Sequence, residues 1–172
     1  FWDVKKYPGK RGLRRGAKFT LEFALIADGV PLKDLYQVLG TEAGVQRAFK
    51  KLDQIKPNIQ WWDSGAQPLQ WLVSGDVVMT SAYNGRVTSA QDEGQSFAMQ
   101  WNGSLYDLDH WAIVKGSPKK ALAETFIAFS SEPVQQQHFV VPTPSRPRHR
   151  HSVELVDSHS ADQFPTSPAP SP

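Results

Sequence analysis

The sequence predicts an α/β protein built on a mostly parallel sheet. Three observations carry that expectation. Apolar runs of strand character alternate with apolar residues at helical spacing from about residue 20 to 140. Proline and glycine fall at the joints between them. The 172 residues, 40% hydrophobic and 21% charged, suffice for one ordinary domain with a sizeable core.

Taken in order, the first twenty or so residues are basic and turn-rich. Lys5, Lys6, Lys10, Arg11, Arg14, Arg15 and Lys18 face only Asp3 there, interleaved with Pro8, Gly9, Gly12 and Gly16. A solvated loop is expected, with a nucleic-acid-binding arm as the alternative. Thr20 to Ala27 is an apolar run that reads as a strand. Leu32, Leu35, Tyr36 and Leu39 recur at helical spacing behind Pro31, which suits a first turn. Val45, Ala48, Phe49, Leu52 and Ile55 mark a second helix that Pro57 stops. Ile59 to Trp62 is a short strand. Leu69, Leu72 and Val73 form a helix entered through Pro68 and ended near Gly75. Val77 to Ala82 is the next strand, followed by a helix from Arg86 to Glu93. Phe97 to Trp101 and Leu105 to Val114 read as strands. Ser117 and Pro118 make an N-cap and first-turn pair for a helix carrying Leu122, Phe126 and Phe129 on one face. Beyond Phe139 the chain is rich in Pro, Ser, His and Arg and is expected to be disordered.

Charge and composition narrow the function. A net charge of +2 does not by itself imply a polyanionic partner. With no cysteine there are no disulfides and no thiolate metal sites, which fits both reducing and oxidising compartments. No stretch reaches the roughly twenty apolar residues of a membrane span. FWDVKKYPGK has neither an initiator Met nor the apolar segment of a signal peptide, so a fragment is expected. Catalysis finds little support: no GxSxG occurs, and His110 precedes every other histidine by a wide margin, inside a strand pattern. His149 and His151 lack further ligands nearby, so no metal is expected. There is no glycine-rich phosphate loop, and no cofactor is expected.

Two features suggest a ligand instead. Asp107 and Asp109 in YDLDHWAI would share one face of a strand about 7 Å apart, either solvated at a strand end or facing a cation. Aromatics are dense around Trp61, Trp62, Trp71, Tyr83, Trp101, Tyr106 and Trp111; most belong to a core, but aromatic faces also attract amines. The strand ending in AYNGR delivers Tyr83 and Arg86 to the kind of edge where α/β proteins hold ligands. Aromatics and carboxylates without a nucleophile favour binding over turnover.

KLDQIKPNIQWWDSGAQPLQWLVSGDVVMTSAYNGR, followed by WNGSLYDLDHWAIVKGSPKKALAETFIAF and preceded by FWDVKKYPGKRGLR, resembles the polyamine-binding periplasmic proteins of ABC importers. The resemblance implies a periplasmic-binding-protein-like fold of two α/β lobes closing on a ligand. This chain would supply mainly the second lobe (1–104), then a returning strand and helix of the first lobe (105–140), then the tail (141–172). It places Tyr83 where a ring stacks on the ligand's methylene chain, and Arg86 where putrescine receptors have an acid. Asp109 matches the acid of the crossing strand, Asp107 falls where an aromatic is expected, Asp28 lies close to a further family acid, and Ser64 matches a polar contact. VVPTPSRPRHRH replaces a YGPTN-like turn before VELVD and ADQFPTSPA resemble the family again, a pattern that a stretch of altered reading frame explains.

The expectation is therefore a monomeric, periplasmic solute-binding subunit of an ABC importer, of the polyamine-receptor type and not an enzyme, that hands a small amine-bearing solute to a membrane permease. It would bind no nucleic acid and would not insert into the membrane. The alternatives are a receptor for an amino-acid-like or opine-like zwitterion and, from another class, a hydrolytic enzyme using Asp107 and Asp109.

Overall fold

The computed structural model describes residues 1–140. The tail expected to be disordered lies outside them. The chain forms two compact units, Phe1–Arg86 and a second from Val87 onward.

The first unit holds a three-stranded sheet in the order β2-β1-β3, with β1 Arg11–Arg14, β2 Ile59–Trp62 and β3 Met79–Thr80. Both pairings are parallel, as the alternating pattern requires, with Leu13 opposite Trp61 and Gly12 opposite Thr80. β3 is shorter than expected, but its ladder continues at both ends: the Val78 amide donates to the Lys10 carbonyl at 2.9 Å and the Ser81 amide to the Gly12 carbonyl at 2.9 Å. A Cβ on Gly12 would stand 2.2 Å from Thr80 Oγ1, so only glycine lets β1 and β3 approach this closely.

The central strand comes from the basic segment expected to be a solvated loop, and that expectation is corrected. Arg11 is 0% exposed. Its guanidinium donates to the main-chain carbonyls of Phe1 at 2.9 Å and Asp3 at 3.3 Å, and to those of Tyr7 and Gly9. A buried cation needs its donors satisfied, and here folded backbone replaces water. Charge density alone cannot distinguish this from a solvated arm.

A second correction falls on Thr20–Ala27, which is a helix, α1, rather than a strand. Thr20, Leu21, Ala24 and Leu25 are buried, the stripe of a helical turn rather than the alternation of a strand. Thr20 Oγ1 donates to the Arg14 carbonyl at 2.8 Å and ties the helix start to the end of β1. Short, uniformly apolar runs do not distinguish buried helix from buried strand, although Leu, Glu and Ala favour the helix.

The remaining elements follow the sequence closely. A 3-10 turn at Leu32–Asp34 leads into α2 (Leu35–Leu39), and α3 (Glu42–Asp53) is capped by Thr41, whose hydroxyl accepts the Gly44 amide at 3.0 Å. Pro57 lies in the 3-10 turn Lys56–Asn58 before β2. α4 (Gln67–Ser74) ends at Gly75, whose φ of 78° is left-handed. Helix α5 (Asn84–Asp92) starts two residues earlier than expected. Leu13, Leu25, Leu35, Ala48, Leu52, Ile55, Trp62 and Val77 form the core, with α1 packed on α2 and α3.

In the second unit, α6 (Lys120–Ser130) is followed by α7 (Pro133–Val140). α6 starts after Lys119, beyond the expected Ser117–Pro118 cap, and Ser117 Oγ instead accepts the Lys119 amide at 3.3 Å. Phe97 to Trp101 and Leu105 to Val114 are not strands: no sheet among the described residues includes them. A strand exists only through its ladder, and apolar alternation does not provide the partner.

Candidate functional site

The carboxyl ends of parallel strands are where α/β folds gather ligand groups, and in the first unit this edge is well defined. β1 ends beside Arg15, whose amide donates to the Trp62 carbonyl at 2.8 Å and whose side chain pairs with Asp63 at 3.3 Å. β2 ends at Trp62, which is 2% exposed and donates from Nε1 to Ser81 Oγ at 3.3 Å. β3 leads through Ser81 to Tyr83. The Tyr83 ring meets Trp62 edge-on, with centroids 5.7 Å apart and planes at 75°. With 44% of Tyr83 exposed, the ring is anchored on one side and open on another.

Ser64 belongs to the same edge, in the turn between β2 and α4. Both its amide and that of Asp63 donate to Gln67 Oε1, at 2.9 and 2.8 Å. Arg86 lies in the first turn of α5, its amide donating to the Tyr83 carbonyl at 3.0 Å. Its side chain is exposed, and no ion pair engages it among the described residues. The structure thus gathers Tyr83, Ser64 and Arg86 around the ends of β2 and β3.

Asp28 lies elsewhere. It follows the last residue of α1, about 12 Å along the helix axis from the end nearest the strand. Arg47 donates to its carboxylate at 2.5 Å and to its carbonyl at 2.9 Å, and Lys51 stands 3.8 Å away. The Arg47 hydrogen bond, assisted by the charges of Arg47 and Lys51, holds the Asp28 carboxyl below the usual carboxylate range against the opposing effect of burial. Asp107 and Asp109 belong to the second unit, exposed in irregular chain, with Asp107 Oδ1 accepting the Leu108 amide at 3.0 Å. The alternation that placed both carboxylates on one strand face does not apply there.

Sequence reasoning missed Glu22. It is buried in the first turn of α1, and its Oε2 has no hydrogen-bond partner among the described residues. A lone acid inside TLEFALIA was the available signal, hidden once that run was read as a strand. Trp62 and Gly65 as supports for Tyr83 were equally hidden, since that contact joins residues about twenty positions apart.

A family model described as bacterial extracellular solute-binding protein matches residues 1–166. The chain belongs to that family. Its α/β fold is periplasmic-binding-protein-like, as in the solved structures it resembles. Over 169 residues it is 59% identical to a gamma-aminobutyric acid-binding protein of Pseudomonas aeruginosa, covering 98% of this chain and 48% of the relative. A GABA receptor structure superimposes with TM-score 0.78 at 32% identity, covering 95% of this chain and 50% of that one. The PBP MotA of A. tumefaciens B6, in complex with glucopine, superimposes with TM-score 0.84 at 30% identity, covering 98% and 53%. The chain spans about half the length of these family members.

Proposed function

We propose that this chain is part of a periplasmic solute receptor of an ABC importer, and that its solute carries an amine at one end and a carboxylate at the other. It captures this zwitterion without chemical change and delivers it to a membrane permease. Arg86 carries the reading. Its guanidinium cannot be deprotonated and forms a bidentate fork for a carboxylate. It is exposed in the first turn of α5, where the helix amides also favour an anion, and no ion pair with a protein carboxylate occupies it among the described residues. Tyr83 would stack on the solute's methylene chain, Ser64 would donate a polar contact, and Asp109 would take the amine, with Asp107 the second candidate for that role. Asp28 is engaged with Arg47 and Lys51 of α3.

The named relatives, one a gamma-aminobutyric acid-binding protein and one a GABA receptor, agree with a zwitterion better than with a polyamine. A free diamine would be repelled by Arg86, which is one way a receptor rejects the wrong ligand. The organisation proposed for the whole receptor is a second lobe over 1–104 and first-lobe elements over 105–140. An exposed apolar face on the second unit, formed by Trp111, Phe126, Leu122 and Phe129, supports it, because a face of this kind calls for cover.

Calorimetric competition in the full-length receptor between 4-aminobutyrate and putrescine tests the proposal, since the two differ mainly in one terminal group. 4-Aminobutyrate is expected to bind more tightly. Arg86→Met or Asp109→Asn is expected to weaken it by two or more orders of magnitude, since removing one member of a desolvated charge pair costs about 3–5 kcal/mol. Tighter putrescine binding that Arg86→Asp does not improve overturns the proposal.

A further inference from the structure

The turn WDSGAQ between β2 and α4 is held more firmly than its exposure suggests. One side-chain oxygen, Gln67 Oε1, accepts two successive amides, those of Asp63 at 2.8 Å and Ser64 at 2.9 Å. The Gln67 amide in turn donates to the Ser64 carbonyl at 3.1 Å. This clasp sets the backbone of Gly65 against the Tyr83 ring: a Cβ there would stand 3.1 Å from Cδ2 and 3.3 Å from Cε2 of the ring. Gly65 is not among the glycines of positive φ, so its missing side chain matters here and not its backbone freedom. The Tyr83 ring therefore meets both the buried indole of Trp62 and the bare backbone of Gly65.

We propose that Gly65 and Gln67 are positioning residues for solute binding: Gly65 leaves the space that the Tyr83 ring fills, and Gln67 holds the turn that carries Gly65. A ring already fixed in place loses less rotamer freedom when a solute stacks on it, so affinity depends on the seat as well as on the ring. The inference rests on the reading of Tyr83 as a solute-facing ring.

The test measures 4-aminobutyrate affinity by calorimetry in the full-length receptor, together with the apo melting temperature and the near-ultraviolet circular dichroism of the Trp62–Tyr83 pair. Gly65→Ala forces the ring to shift by a few tenths of an ångström. It is expected to weaken binding about tenfold, which is about 1.4 kcal/mol, and to change the aromatic dichroism while the apo melting temperature holds. Gln67→Met, which lacks the acceptor, should act in the same direction. Gln67→Glu, which keeps an oxygen for both amides, should restore affinity to within about threefold, or about 0.7 kcal/mol. In a Tyr83→Ala background, Gly65→Ala should have no further effect. If Tyr83→Ala weakens binding but Gly65→Ala does not, or if the two effects add, the seat plays no part and the inference is overturned while the site stands. If Tyr83→Ala leaves affinity unchanged, the stacking role fails and this inference fails with it.

Discussion

Replacing Arg11 by methionine probes the least expected feature of the fold. The side chain is fully buried beneath residues 1–9 and donates to the carbonyls of Phe1, Asp3, Tyr7 and Gly9. Hydrogen bonds to a charged group contribute about 1.5–3 kcal/mol each, so losing four removes about 6–12 kcal/mol in gross terms. Against this, the variant no longer holds an ion out of water, a penalty of several kcal/mol. Part of the remaining loss is offset because residues 5–10 are exposed and water can reach freed carbonyls. A net destabilisation of about 2–5 kcal/mol results, a large share of the 5–15 kcal/mol typical of a domain. Arg11→Lys should fall between, since an ammonium has three donors and no planar fork. Urea unfolding of the full-length receptor measures the change, and hydrogen exchange should show residues 1–9 losing protection first. A loss below about 1 kcal/mol at an unchanged urea slope, with those amides still protected, would refute the reasoning.

Gly12→Ala drives a Cβ to 2.2 Å from Thr80 Oγ1 and should destabilise the fold by about 1–3 kcal/mol, read from the urea midpoint. Asp28→Asn tests the Arg47 pair by pH. Because the folded carboxyl is held below its unfolded value near 3.9, its stabilisation is fully present above that value and is lost as pH falls through the folded one. The stability gap between wild type and Asp28→Asn should therefore be constant near neutrality and close in acid; a gap that persists below pH 2 would assign the effect to packing. Arg86 and Gly65 have their own tests above, one in solute preference and one in affinity without loss of stability.

Much of this protein is legible locally. Prolines and glycines at the joints, helical spacing in Val45 to Ile55, and the apolar run after Gly75 located α3, β2, α4 and β3 to within a few residues. The order of those parts, with AYNGR and DLDHW in place, was enough to point to the solute-receptor family. These signals survive because spacing, turn chemistry and helix stops are set within a few residues of chain. Other features depended on contacts between distant positions. The basic segment became the central strand because Arg11 found carbonyls as far as ten residues away and β1 found partners about fifty and seventy residues on. Thr20–Ala27 became a helix because its apolar stripe packs on α2 and α3, which no window of eight residues contains. Tyr83 was visible as a residue, but its setting against Trp62 and Gly65 was not, because rings are placed by what surrounds them in space. Phe97 to Trp101 and Leu105 to Val114 carry strand alternation yet join no sheet among the described residues, since a strand is decided by its neighbour and not by its own sequence.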